Sequence, residues 1–355
     1  MPSKPQIYSH ALHPSSPSSK TTISNALALL RPYLPTSIPL YRRLQFGRFF
    51  PDSRLLTNLP NLERRPGEGD EWILTFIDRT PRPETECWIF ASWETSPSPS
   101  TPQNEGIQNA LMTSLFHKIR SLPLPPSIHS QSLLTNDAEK DHTNTSRADY
   151  AAHIQSPDIL LCGAVHEAII PALQRTGLIK QVFLAGLVPN HAFVFRLDEE
   201  PLRVLLERDG EVEGLPEGLR WGELEGRHFG LVRSRTQIPR QEATLAVLPN
   251  VGIFPSTNDG EGDGEPVAWA FVGVDGSLST LHVEPEWRGK GLAKRVTAKL
   301  FGDKMGRFWE DGVPRFAHDY VIKGNTASVG VGSSIGGRSD WDVYWVRVDL
   351  SVIGN

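Results

Sequence analysis

The chain has 355 residues, 39% of them hydrophobic and 22% charged, with nine tryptophans. It is long enough for two domains with their own cores and too apolar for global disorder. A net charge of -5 offers no basic excess to neutralise phosphates, which sets nucleic-acid binding aside. The only cysteines, Cys87 and Cys162, lack the spacing of a zinc site or a disulfide framework, and no apolar leader or membrane-length apolar run is present. The expectation is a chain without metal, off the membrane, in the cytoplasm or alternatively the nucleus.

Residues 1–22 are rich in proline and serine and read as a disordered N-terminus. An N-terminal α/β domain is expected over 23–200. Apolar residues at Ile23, Ala26, Leu27, Leu30 and Leu34 predict a helix stopped by prolines. WILTFI (Trp72–Ile77) and CWIFA (Cys87–Ala91) read as strands that pair across a proline-bearing turn. Residues 95–106 and 123–147 are low-complexity segments expected to be mobile loops. Between them Ile107, Leu111, Leu115 and Ile119 share one helical face. Ile159–Cys162 reads as a strand, Gly163 as a tight turn with His166 on the surface, Val165–Leu173 as a helix, and Gln181–Leu184 as a further strand. A phosphate site at that Gly163 turn is the weaker reading.

Further on, helices are expected near Leu224–Val232 and Arg240–Leu248, then strands at Val251–Phe254 and Val267–Val272 around a solvated acidic loop. Arg233, Arg235 and Arg240 read as a solvated face in preference to a clamp for a carboxylate. The informative stretch is the next one along the chain. Strand Leu278–Val283 runs into Pro285, and Arg288, Gly289, Lys290, Gly291, Leu292 and Ala293 open a helix that buries Leu292, Val296 and Leu300. Unpaired amides at a helix start favour an anion, and the two glycines let a pyrophosphate approach the backbone. The spacing fits neither a Rossmann nor a Walker loop.

It resembles the acyl-CoA signature of the GNAT acetyltransferase superfamily: Arg or Gln, two free positions, Gly, one free position, then Gly or Ala. Here Arg288, Gly291 and Ala293 fill the fixed places. FAHDYVIKGN (Phe316–Asn325) is similar to the family's fifth strand with its following Asn325. WDVYWVRVDL (Trp341–Leu350) is similar to the glycine N-acyltransferase-like branch. The resemblance implies an α/β mixed sheet: a GNAT domain over 217–355, with a degenerate GNAT-like half before it. It implies acetyl-CoA or another acyl-CoA as co-substrate, held by Leu281, Val283, residues 288–293 and Asn325, and transfer of the acyl group to an amine. A small-molecule amine is the expected acceptor, and a protein acceptor stays open.

Two of the family's usual groups are missing. Ser277 stands where many members carry a Glu base, and Gly332 where a Tyr often protonates the departing thiolate. Asp275, His282, Glu284, His318 and Asp319 lie nearby, and Asp319 and His282 are the favoured acid/base candidates. A GNAT fold that binds acyl-CoA without turnover is the alternative.

Overall fold

The computed structural model describes residues 4–67, 69–95, 101–128, 156–180, 186–209, 215–236, 240–256 and 264–354. They form two compact units. The first takes the described parts of Met1–Thr135 and His142–Pro189 together with Trp341–Asn355; the second is built on Asn190–Asp340.

The first unit's sheet runs in the order β1 (Tyr8–Ala11), β2 (Arg54–Thr57), β3 (Ile73–Ile77), β4 (Cys87–Ala91), β5 (Ile159–His166) and the C-terminal strand β12 (Arg338–Asp349). Every residue of β3 and β4 is buried, which is why both read as continuous apolar runs, and they pair antiparallel as expected. Its helices are α1 (Pro17–Leu30), α2 (Ile38–Phe46), α3 (Pro102–Arg120) and α4 (Ile170–Thr176). The segment 1–22 is therefore not structureless where it is described: it holds β1 and the start of α1. Pro17, in the first turn of α1, sets a start that the apolar spacing alone misses.

Helix α3 also begins earlier than its apolar stripe. Thr101 caps it by accepting from the Asn104 amide at 3.3 Å, so the expected 95–106 loop ends as helix. Its buried face is Gln108, Leu111, Met112, Leu115, Phe116 and Ile119, while Ile107 is 40% exposed. Strand β5 overturns the turn expected at Gly163. The strand continues to His166, because a Cβ at Gly163 would lie 2.5 Å from Thr85 Cγ2. The glycine permits a close approach and forms no turn or phosphate site. His166 is buried, stacked on Trp341 at 5.9 Å. The expected strand Gln181–Leu184 and most of 123–147 fall outside the described residues.

The second unit's sheet runs β6 (Asn190–Arg196), β11 (Phe316–Ile322), β10 (Ser277–Val283), β9 (Ala268–Val272), β8 (Asn250–Pro255), β7 (Leu219–Gly222). Strand β6 pairs antiparallel with β11 along its whole length, from Asn190↔Ile322 to Arg196↔Phe316. The chain's last strand, β12, returns to pair with β5 in the first unit. Helices α5 (Leu202–Asp209), α6 (Gly226–Arg235), α7 (Glu242–Leu245), α8 (Leu292–Lys304) and α9 (Thr326–Ser334) complete it.

Strand register separates the two faces of this sheet. Phe195 lies 5.4 Å from Phe301 of α8, so α8 covers the face that also carries Phe193, Asp319, Leu278 and Val272. His228 of α6 lies 5.3 Å from Phe254, and α6 covers the opposite face, which carries Phe271, Trp269, Ser279 and His282. Among the described residues no helix is long and apolar enough to cross a membrane.

Candidate functional site

The site begins where β10 and β11 part. They run parallel, yet only Ser277↔His318 and Leu278↔Asp319 are in register before they separate. Beyond that point β10 turns away through a bulge: Ser279 opposes Phe271, but His282 opposes Trp269, so one extra residue is accommodated, and Thr280 takes a positive φ of 51°. A parallel pair that opens in this way leaves backbone polar groups of β10 without a strand partner on the β11 side.

At the far end of β10 the chain makes a short 3-10 turn, Pro285–Trp287, and then the glycine loop. Gly289 and Gly291 both have φ of +77°, a region that costs an L side chain about 1–2 kcal/mol. A Cβ at either would meet nothing within 4 Å, so the backbone there is open as well as left-handed. Gly291 starts α8 with no side-chain cap, and the first helical bond is Arg295 N–H to Gly291 carbonyl at 3.3 Å. Among the described residues the amides of Gly289 to Ala293 donate to no protein acceptor. Arg288 pins the loop to the strand by donating from Nε to the Val283 carbonyl at 3.0 Å, and Lys290 Nζ sits 4.3 Å from the Trp287 ring centroid. Loop, dipole and two cations together form a cradle that favours an anion.

The opposite face of the sheet holds the titratable cluster. His282 stacks on Trp269 with centroids 4.7 Å apart, and its Nε2 lies 3.6 Å from Glu284 Oε2. Arg235 Nε donates to the other Glu284 oxygen at 2.9 Å. Burial lowers the His282 pKa; Glu284 pulls it up, and Arg288 and Arg235 push it down. The ring is therefore neutral near pH 7, with its enclosed Nε2 in no hydrogen bond shorter than the Glu284 approach. Arg240 Nη2 donates to Ser279 Oγ at 3.3 Å on this same face.

Of the sequence candidates, His282 and Asp319 are both at the opening, but register puts them on opposite faces of the sheet. Asp319 accepts from the Tyr320 amide at 2.7 Å, and burial, aided by the charge of Asp275, raises its pKa to about 7. Ser277 is buried and donates to Asp275 Oδ1 at 2.6 Å. Leu281 lies inside the bulge, and the Val283 carbonyl already accepts from Arg288. Asn325 is the N-cap of α9, its side chain accepting from Ser328 N at 3.1 Å. Gly332 has no room for a larger side chain without displacement, since a Cβ would meet the Phe193 ring at 3.3 Å.

Two residues of this face carried no functional weight in the sequence: Trp269 reads as an ordinary strand residue, and Tyr320 lies one residue past the last paired position. Arg240, read as part of a solvated face in preference to a carboxylate clamp, is half-buried. The first unit repeats the parallel opening, with Cys87↔Cys162 the one registered pair of β4 and β5. There β4 leads into SWETSPSPST, which has neither glycine nor cation, so the anion cradle belongs to the second unit. Among the described residues no cluster of His, Cys, Asp or Glu could hold a metal ion.

Comparison with known proteins agrees with this architecture. Residues 5–197 match the family model of the acyl-CoA N-acyltransferase verG N-terminal domain, and 250–346 match FR47-like protein. No curated relative matches by sequence. A Drosophila protein of solved structure is similar in fold at a TM-score of 0.55 and 13% identity, covering 97% of this chain and 99% of its own. A GCN5-related N-acetyltransferase from Sphaerobacter thermophilus (11% identity; 97% and 96% covered) and a tandem GNAT protein from the clavulanic acid biosynthesis pathway (10%; 97% and 99%) each give a TM-score of 0.46. With one family model spanning more than half of its length, the chain belongs to the family of the acyl-CoA N-acyltransferase verG N-terminal domain.

Proposed function

We propose that the second unit transfers an acetyl or related acyl group from CoA directly to an amine, with His282 as general base. The observation that carries this reading is the strand opening between β10 and β11, which connects an anion cradle at one end with a neutral, enclosed histidine on the opposite face. The cradle at residues 289–293 fixes the pyrophosphate, and the unpaired backbone of β10 receives the pantetheine arm. A backbone N–H there polarises the thioester carbonyl. The amine nitrogen bonds to the carbonyl carbon while its proton passes to the His282 imidazole; the C–S bond then breaks and CoA leaves as the thiol once the thiolate is protonated. Tyr320, on the His282 face just beyond the last strand pair, is the phenol we assign to that proton.

The acceptor is a small-molecule amine of the kind the glycine N-acyltransferase-like resemblance implies, and the setting is the cytoplasm. A second reading, acyl-CoA binding without turnover, is favoured by Ser277 and Gly332, since neither offers an acid or base. Incubation with acetyl-CoA and a panel of amines, following free CoA thiol and the amide product, separates the two. Amine-dependent thiol release that His282→Gln suppresses supports transfer. Tight CoA binding with no release for any amine supports the sensor and removes the enzyme.

A further inference from the structure

The two oxygens of Glu284 are divided between two side chains. Oε1 accepts from Arg235 Nε at 2.9 Å, while Oε2 lies 3.6 Å from His282 Nε2. The first is a charge-assisted hydrogen bond and the second is too long for one. Arg235 is the last residue of α6, His282 lies in β10 and Glu284 directly follows that strand, so the ion pair joins the covering helix to the strand that carries the base. Its neighbour on α6 is of another kind: Arg233 meets Glu242, whose side chain is 59% exposed, and such surface pairs contribute little. The Glu284 side chain is 11% exposed, and a carboxylate withdrawn from water depends on the partner that replaces its hydration.

Both ends of the longer contact are held. The Glu284 amide donates to the Val267 carbonyl at 2.9 Å, and the His282 ring is stacked on Trp269. Closing the 3.6 Å approach to hydrogen-bond length takes less than about 1 Å of carboxylate movement. We infer that Arg235 is a positioning residue for the base: it holds Glu284 just short of a hydrogen bond to His282 and so leaves the imidazole free to take the amine's proton. The inference rests on the acyl-transfer reading. Without Arg235 the carboxylate would pair with the imidazolium, and a histidine that keeps its proton accepts none. Arg288, beyond the strand end, works in the same direction as Arg235 against protonation of the ring, and Glu284 works the other way. Arg240 reaches this face at Ser279, and register puts His318 and Tyr320 of β11 on it as well.

The test follows His282 by NMR pH titration in the full chain, with His282→Gln to assign the signal, and in parallel measures kcat/KM with acetyl-CoA and an amine across pH. Arg235→Gln is expected to raise the His282 midpoint, Glu284→Gln to lower it, and the double variant to stay below wild type. Activity of Arg235→Gln should fall at the acid end, by about tenfold for each unit the midpoint rises, and the deficit should shrink as pH increases. A midpoint unmoved or lowered in Arg235→Gln, or a double variant as high as Arg235→Gln, overturns the inference. So does a loss of activity equal at every pH, which marks a helix staple and not a positioning residue. Midpoints that move as stated with no turnover for any amine uphold the Arg235–Glu284–His282 arrangement, and transfer alone falls. Arg235 is 44% exposed in its side chain, and melting temperature is the fold control. Arg235→Lys, which keeps the charge without the Nε donor, should give a midpoint between wild type and Arg235→Gln; one at or below wild type overturns the inference even where Arg235→Gln does not fold.

Discussion

The His282 imidazole lies 4.7 Å from the Trp269 indole and 28° from parallel to it, at register-paired positions of β9 and β10. The stack covers one ring face and contributes to the burial that lowers the imidazole pKa below 6.5. A base acts in its deprotonated form, so activity should fall on the acid side with a limb below the usual histidine value. Glu284 raises this pKa; Glu284→Gln should therefore move the limb to still lower pH. His282→Gln should abolish the limb and reduce kcat by about 10²–10⁴-fold. Chromatographic measurement of amide product across pH checks both, and a limb that persists in His282→Gln assigns the base elsewhere.

Gly291 combines a φ of +77° with open space around its missing Cβ. Gly291→Ala should cost about 1–2 kcal/mol of loop strain. Gly291→Glu adds a negative charge where the unpaired amides face, so calorimetric affinity for CoA should be lost while that for pantetheine, which lacks the diphosphate, changes far less. Wild-type CoA affinity in Gly291→Glu would place the pyrophosphate elsewhere.

Much of the second unit was legible because its signals are local. The run from Leu278 to Met305 states strand, turn, glycine loop and helix in order, and each needs only neighbouring residues. The pairing of β6 was not legible: it pairs with a strand that begins 120 residues after it ends, and alternation in NHAFVFR does not name a partner. The relation between Asp319 and His282 was hidden for a related reason. Both lie near the opening in sequence terms, but a single bulge residue between Ser279 and His282 sets which face His282 occupies. Arg240 looked solvated because its hydroxyl partner Ser279 is 39 positions away.

Asp319 gives a stability prediction with a fixed sign. In the folded protein burial holds its pKa at about 7, against 3.8 for the ordinary group. Between these values the folded state binds a proton that the unfolded chain releases. Stability is full below the unfolded value and is lost as pH rises through the folded one. Melting temperatures should therefore decline between about pH 4 and 7 more steeply in wild type than in Asp319→Asn, which cannot ionise. Parallel melting curves for the two proteins across that range would contradict the raised value.

The rotated face of α3 offers a test in the first unit. Ile107 and Leu111 are equivalent in apolar spacing, yet Ile107 is 40% exposed and Leu111 is fully buried in a core shared with Leu115, Phe116, Leu160 and Val346. The buried face also takes in Gln108 and Met112, so the inward stripe is centred on Leu111 and Leu115. Leu111→Ala should cost about 2–5 kcal/mol, through lost burial and the cavity left behind. Ile107→Ser should change stability by no more than about 0.5 kcal/mol. Urea unfolding of both variants decides between the faces: comparable losses at the two positions would restore the face centred on Ile107.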